Sequence, residues 1–428
     1  VFSLQKKIHE IIPLKNSLYR NSFIFFLGTL LSGFATYLFQ FLMGRMLSLG
    51  DFGSLAALMS FFAILGVPVA TLSTVATKQV ASLKVNYKDD YLPMLSAFIL
   101  RLSKIFFLIG IGLCLIFLLL MPSAIRYLRL ESSLPYIIMT LPIIFAFTIS
   151  LWRGVLPALG RFKDLSLNIT FESIVKLILG SLFVFLGWRL NGAIFAITLS
   201  GALAGIFLFW QLRSIRSHTN KKISLKGFSR IFFFILFWTF ATTTLQSTDT
   251  ILVKRFFSGE ETGMYAALSV LGRLIFFAGL AITGVLFPLS IELYESGNHN
   301  AHEKLFKKSL FFLLLISLIG IGFYAIFPKL IVRLFFGSSY LSLAPLLPWF
   351  GVNAALLSII QLFATYFLSI GKKYFVFLIL FTTLFEWILI YQFHESIPKV
   401  LLILTLCFIF LCLLLLANFF VSRYTKNH

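Results

Sequence analysis

Two stretches decide the fold: Arg45-Met-Leu-Ser-Leu-Gly-Asp-Phe-Gly-Ser-Leu-Ala-Ala-Leu58 and Arg255-Phe-Phe-Ser-Gly-Glu-Glu-Thr-Gly-Met-Tyr-Ala-Ala-Leu268. They align without gaps at an offset of 210 residues. Arg45/Arg255, Ser48/Ser258, Gly53/Gly263, Ala56/Ala266, Ala57/Ala267 and Leu58/Leu268 are identical, and Asp51 is matched by Glu261. A shorter echo pairs Leu159-Gly160-Arg161 with Ile370-Gly371-Lys372 at an offset of 211. The chain therefore reads as two similar halves in tandem.

What surrounds the repeat is apolar. Of 428 residues, 59% are hydrophobic and 12% charged, against roughly 45–50% and about 25% in soluble domains. A soluble enzyme of this length has too little interior to hide so much apolar side chain, so the solvent is lipid. Apolar runs long enough to span it fall at about 21–45, 52–76, 93–121, 134–158, 166–188 and 191–211. A second set falls at about 229–253, 263–291, 305–328, 341–370, 374–392 and 398–422. The pattern predicts an all-α polytopic membrane protein with 12 transmembrane helices, six on each side of the basic linker Gln211–Arg230. The expected lobes are residues 1–218 and 219–428.

The net charge of +21 would suggest nucleic acid in a soluble protein. Here 22 of the 36 Lys and Arg residues fall on the termini and even-numbered loops, 9 on odd-numbered loops and 5 inside runs. That asymmetry places both termini in the cytoplasm. With an even number of spans per half, the halves share one orientation and form a parallel-repeat transporter plan. Cys114, Cys407 and Cys412 lie in apolar runs without metal or disulfide spacing, and the six histidines are scattered. No metal site is expected. No G-x-x-x-x-G-K-[ST] phosphate loop is present.

The outer loop Arg45–Leu58, with Arg153-Gly-Val-Leu-Pro-Ala-Leu-Gly-Arg-Phe162, Glu172-Ser-Ile-Val-Lys-Leu-Ile-Leu-Gly180, Asn191-Gly-Ala-Ile194, Asp249-Thr-Ile-Leu252, Gly263-Met-Tyr-Ala-Ala267 and Val285-Leu-Phe-Pro288, resembles the polysaccharide-biosynthesis flippases. These are O-antigen and oligosaccharide translocases of the MOP (multidrug/oligosaccharidyl-lipid/polysaccharide) superfamily. The resemblance implies a MATE-like fold of two pseudo-symmetric six-helix lobes around a central cavity. It implies a flippase, not an enzyme, in the cytoplasmic (inner) membrane. Its cargo would be a polyprenyl-diphosphate-linked oligosaccharide carried from the inner to the outer leaflet by alternating access. Membrane lipids and polysaccharide assembly proteins are the further partners it implies.

Charges within the runs mark the candidate site. A basic or acidic side chain at mid-membrane costs roughly 2.5–3.5 kcal/mol on insertion scales. Arg153, Lys176 and Arg273 are therefore expected in a wet cavity, where two guanidinium forks and an ammonium suit a diphosphate. Blander readings stand beside this one. Glu172 and Lys176, four residues apart, would neutralise each other, and Arg153 would snorkel to the interface. Gln246 and Asp249 lie within the polar run Thr242–Thr250. They are expected to line the lumen or bind a coupling cation, H+ or Na+, unless they serve interhelical hydrogen bonding or Asp249 pairs with Lys254 or Arg255. Glu386 is a second acid of this kind, and no cofactor is expected. The competing functions are an ion-coupled multidrug or metabolite exporter of the same fold, a lipid II flippase, and a membrane transferase, for which the outer loops offer few acids.

Overall fold

The computed structural model describes residues 2–86, 91–215 and 228–424, and these are helical throughout apart from short connections. In chain order the first helices are α1 (Phe2–Met46), α2 (Leu49–Leu65), α3 (Val67–Asn86), α4 (Tyr91–Leu119), α5 (Met121–Leu128), α6 (Leu134–Thr140), α7 (Ile143–Ala158), α8 (Phe162–Phe183) and α9 (Arg189–Gln211). They are followed by α10 (Phe228–Phe256), α11 (Gly259–Glu295), α12 (His299–Ile326), α13 (Pro328–Phe335), α14 (Leu347–Ser369), α15 (Phe375–Gln392) and α16 (Ile397–Tyr424). Each apolar run of the sequence falls on helix. Nine stretches among the described residues are long and apolar enough to cross a membrane, or ten if the bent pair α2–α3 is one span. One of the nine, Phe162–Gln211, is a 50-residue stretch that contains both α8 and α9.

The breaks follow from local chemistry. Gly66 separates α2 from α3, and Val67-Pro68 opens the new helix at a bend of 47°. Pro142, which fixes its own φ and lacks an N–H, divides α6 from α7. The two repeat copies end one helix and start the next in the same way. Two residues, Leu47-Ser48 and Phe257-Ser258, join α1 to α2 and α10 to α11. Ser48 Oγ accepts from the Asp51 amide at 3.1 Å, and Ser258 Oγ from the Glu261 amide at 3.2 Å. In the second copy Glu261 reaches back to the Ser258 amide at 3.1 Å and closes a capping box. The identical serines of the repeat are thus its helix starts.

The chain forms two compact units. One comprises Val1–Met46 with Leu65–Leu236, the other Leu47–Ile64 with Phe237–His428. The segment carrying α2 groups with the second half of the chain, although sequence position puts it in the first; the expected boundary at 218/219 lies outside the described residues. In the first unit α1 packs on α8, α8 on α9, and α7 on both α3 and α4. Leu72, Val80, Leu95, Phe98, Leu151 and Val155 are among its buried core residues. In the second unit α11 packs on α12 and α14, and α16 on α14 and α15.

The two repeat copies meet inside that second unit. A Cβ added to Gly53 of α2 would stand 2.7 Å from the Gly263 amide nitrogen, and one added to Gly263 would overlap the Leu49 carbonyl oxygen. Only glycine lets these two helix starts approach so closely. Lys254 Nζ donates to Ser54 Oγ at 2.8 Å, and Phe52 packs on Phe336 and Tyr340.

Candidate functional site

The first unit assembles a polar cluster between α7 and α8. Arg153 donates from Nε and Nη2 to Asn168 Oδ1 at 2.9 and 2.8 Å, and from Nη2 to Glu172. Asn168 Nδ2 donates onward to the Ala204 carbonyl of α9 at 2.8 Å. Glu172 forms its ion pair with Arg153 across two helices while staying within electrostatic reach of Lys176 along its own helix, so it serves both cations and the expected pairing with Lys176 is shared rather than exclusive. Arg153 is likewise held by partners inside the unit instead of snorkelling. The reason is geometric: a planar fork meets a carboxylate and an amide together, whereas an i,i+4 pair gains only about 0.2–0.5 kcal/mol.

Lys176, one turn further along α8, makes no ion pair among the described residues, and the Glu172 carboxylate lies within electrostatic reach of it. Its Nζ lies 3.4 Å from Thr36 Oγ1 and 5.5 Å from the centre of the Phe39 ring, both on α1. Hydroxyls stitch the same two helices beside it, Ser32 to Ser173 at 2.6 Å and Thr170 to the Gly28 carbonyl at 3.0 Å.

The second unit gathers Gln246, Asp249 and Arg273 around a cavity of about 40 Å³, together with Tyr265, Ser269 and Asn353. That is room for a few waters. Tyr265 donates to Asp249 Oδ2 at 2.7 Å, and Thr250 to Asp249 Oδ1 at 3.2 Å. Arg273 Nη2 donates to the Gln246 carbonyl at 2.9 Å and makes no ion pair among the described residues. The Tyr265 bond runs from α11 to α10 and is the interhelical hydrogen bonding that a structural Asp249 would make; among the described residues Asp249 has no salt bridge to Lys254 or Arg255. Asn353 is fixed by Thr405, whose Oγ1 lies 2.8 Å from its Oδ1 and accepts from Trp349 Nε1 at 2.7 Å.

Glu386 on α15 is fully buried, and neither carboxyl oxygen has a hydrogen-bond partner among the described residues. Asp249 lies within electrostatic reach of it. Among the described residues no three His, Cys, Asp or Glu side chains come together as a metal site. The site residues fall into two sets: Arg153, Glu172 and Lys176 in the first unit, and Gln246, Asp249, Arg273 and Glu386 in the second. Sequence reading missed Asn168, Tyr265, Asn353 and Thr36. The available signal was polarity in an apolar run, since amides inside spans need partners.

Against known proteins, residues 18–294 match the family described as Polysaccharide biosynthesis protein. No curated protein matches the chain by sequence. Solved structures match along almost its whole length. The inward-facing conformation of a multidrug resistance MATE family transporter of the MOP superfamily is 16% identical with a TM-score of 0.73, covering 91% of this chain and 96% of that one. An outward-facing conformation of such a transporter gives 16%, a TM-score of 0.65 and 97% of each chain. A MOP superfamily transporter from Pyrococcus furiosus, described for the reverse polarity of its binding pocket, gives 15% and 0.65, over 94% and 95%. At these identities the likeness is one of fold.

Proposed function

The chain belongs to the polysaccharide biosynthesis protein family, a transporter family rather than an enzyme family, and from that premise we propose that it flips a polyprenyl-diphosphate-linked oligosaccharide from the inner to the outer leaflet. The observation that carries this reading is that Lys176 and Arg273 stand in apolar spans, hydrogen-bonded to a hydroxyl and to a carbonyl and in no ion pair among the described residues. Each costs roughly 2.5–3.5 kcal/mol to place there on insertion scales, and an anionic ligand would offset that cost. Arg153 is already paired with Glu172, so the better diphosphate contact is Lys176 within the first unit and Arg273 within the second. The repeat units are residues 1–218 and 219–428, each with six crossings, and both termini face the cytoplasm in the inner membrane. Alternating access would be driven by an ion gradient or the membrane potential, which supplies roughly 2.3 kcal/mol per charge per 100 mV. Asp249 and Glu386, with Gln246 beside them, are the groups to bind H+ or Na+.

A leaflet-accessibility assay in proteoliposomes tests this reading. The lipid-linked oligosaccharide, fluorescent on the sugar, is distributed in both leaflets and quenched from outside, with and without an ion gradient. Quenching beyond the outer-leaflet fraction, lost in Lys176→Ala and Arg273→Ala, is the expected result. No excess quenching under any gradient overturns it. A second reading, an ion-coupled exporter of organic cations, is favoured by the acidic pair Asp249 and Glu386. Efflux of a cationic dye with no flipping would select it.

A further inference from the structure

The turn between α8 and α9 in the first unit has a construction that transport by the clusters above does not use. α8 runs into a π-helical turn, Val184–Trp188, in which Gly187 has φ 87°. Arg189 follows at φ 46° and ψ −135°, a backbone that costs a side-chain-bearing residue strain. The turn lays the Trp188 ring on Phe183, with centroids 5.0 Å apart and planes 12° from parallel, and brings Phe195 within 6.1 Å of Trp188. Behind these rings lies a cavity of about 320 Å³ lined by Leu134, Ile138, Trp188, Asn191 and Phe195.

Three features define what fits. The walls are apolar, and the neighbouring Leu182, Phe185 and Leu186 are exposed, as on a surface that hydrocarbon covers in a membrane. A sugar would strand its hydroxyls there, whereas an acyl chain would not. The lining has one polar residue, Asn191, whose buried Oδ1 has no hydrogen-bond partner among the described residues. An acceptor so placed calls for an N–H or O–H donor. Between Trp188 and Asn191 in sequence, Arg189 is exposed and takes part in no ion pair or hydrogen bond among the described residues, so it is free to meet an anion.

We propose that this turn binds one membrane phospholipid with a donating amine headgroup, phosphatidylethanolamine. An acyl chain fills the cavity, the phosphate meets Arg189, and the ammonium donates to Asn191 Oδ1. The strained turn sets Arg189 in the chain between Trp188 and Asn191, two residues that line the cavity. The site is independent of the transported cargo, and its test needs no transport assay.

Native mass spectrometry of the full chain, purified and delipidated in detergent, is titrated with dioleoyl phosphatidylethanolamine and with dioleoyl phosphatidylcholine. The second has the same chains and phosphate but no donor. One tight ethanolamine-lipid adduct is expected, with the choline lipid about ten-fold weaker, the size of one lost hydrogen bond to a charged group. Asn191→Leu should abolish the difference between the two lipids. Ile138→Trp should fill the cavity and remove the adduct of both. Equal binding of the two lipids, or a preference that survives Asn191→Leu, overturns the proposal. Where the cavity-filling variant does not fold, quenching by acyl-brominated phosphatidylethanolamine decides instead: the wild type must quench more than Trp188→Phe, and equal quenching overturns the site.

Discussion

The polar cluster of the first unit and that of the second are both set in apolar helices, but they are completed differently. Around Arg153 the charges and amides answer one another: guanidinium to Asn168 and Glu172, and Asn168 to the Ala204 carbonyl. Around Asp249 the answer is partial. Tyr265 and Thr250 serve Asp249, while Glu386 lies buried with neither oxygen bonded. In formal charge the first set, with Lys176, is one positive in excess, and the second, with Arg273, one negative. A satisfied network resists change of its own protonation, because each proton moved breaks a bond. An unsatisfied buried acid is where a proton or cation gains most by arriving. On the function proposed above, the comparison favours rigidity at the first cluster and ion response at the second.

The largest effect that would break this assignment is at Arg153. Arg153→Met strands Glu172 and Asn168 and should cost about 2–3 kcal/mol, below the full range for a deeply buried pair because both side chains keep some exposure. The double variant with Glu172→Met should recover most of it in thermal unfolding; no recovery would mean the pair is not the unit of stability. Next is Tyr265→Phe, which removes one hydrogen bond to a carboxylate and should cost about 1.5–2 kcal/mol while shifting the ion concentration that half-activates transport. Glu386→Met should change stability by about 1 kcal/mol in the opposite direction, since it removes an unbonded buried acid, and should flatten the gradient dependence of flipping. A destabilised Glu386→Met would reveal a partner and collapse the contrast. Smallest in net stability is Lys176→Met, because relief from placing an ammonium in an apolar span opposes the loss of its Thr36 contact and of its attraction to Glu172. Flipping by that folded variant should nonetheless fall at least about ten-fold, the worth of one charge-assisted hydrogen bond.

The apolar runs, the repeat and the charges inside spans were legible because each is a property of composition along one helix. What failed to show was anything depending on a neighbour. Glu172 and Lys176 satisfy the spacing of a pair, yet Arg153 comes from α7 and makes the ion pair. Asn168 is only a lone amide in an apolar run until Arg153 and Ala204 appear on either side of it. The matched glycines Gly53 and Gly263 announce an equivalence between halves, and spacing alone cannot say that equivalent residues touch.

That contact has a consequence for how the molecule is made. Leu47–Ile64 belongs with helices encoded about two hundred residues later, Gly53 and its counterpart being 210 positions apart. At roughly 5–20 residues per second of synthesis, α2 must wait about 10–40 s in the bilayer before the surface that covers it exists. During that interval its glycine-bearing face is open to any passing helix. The first half of the chain thus cannot finish folding before the second is inserted, and a gene cut between the halves would yield a second fragment lacking one of its own helices.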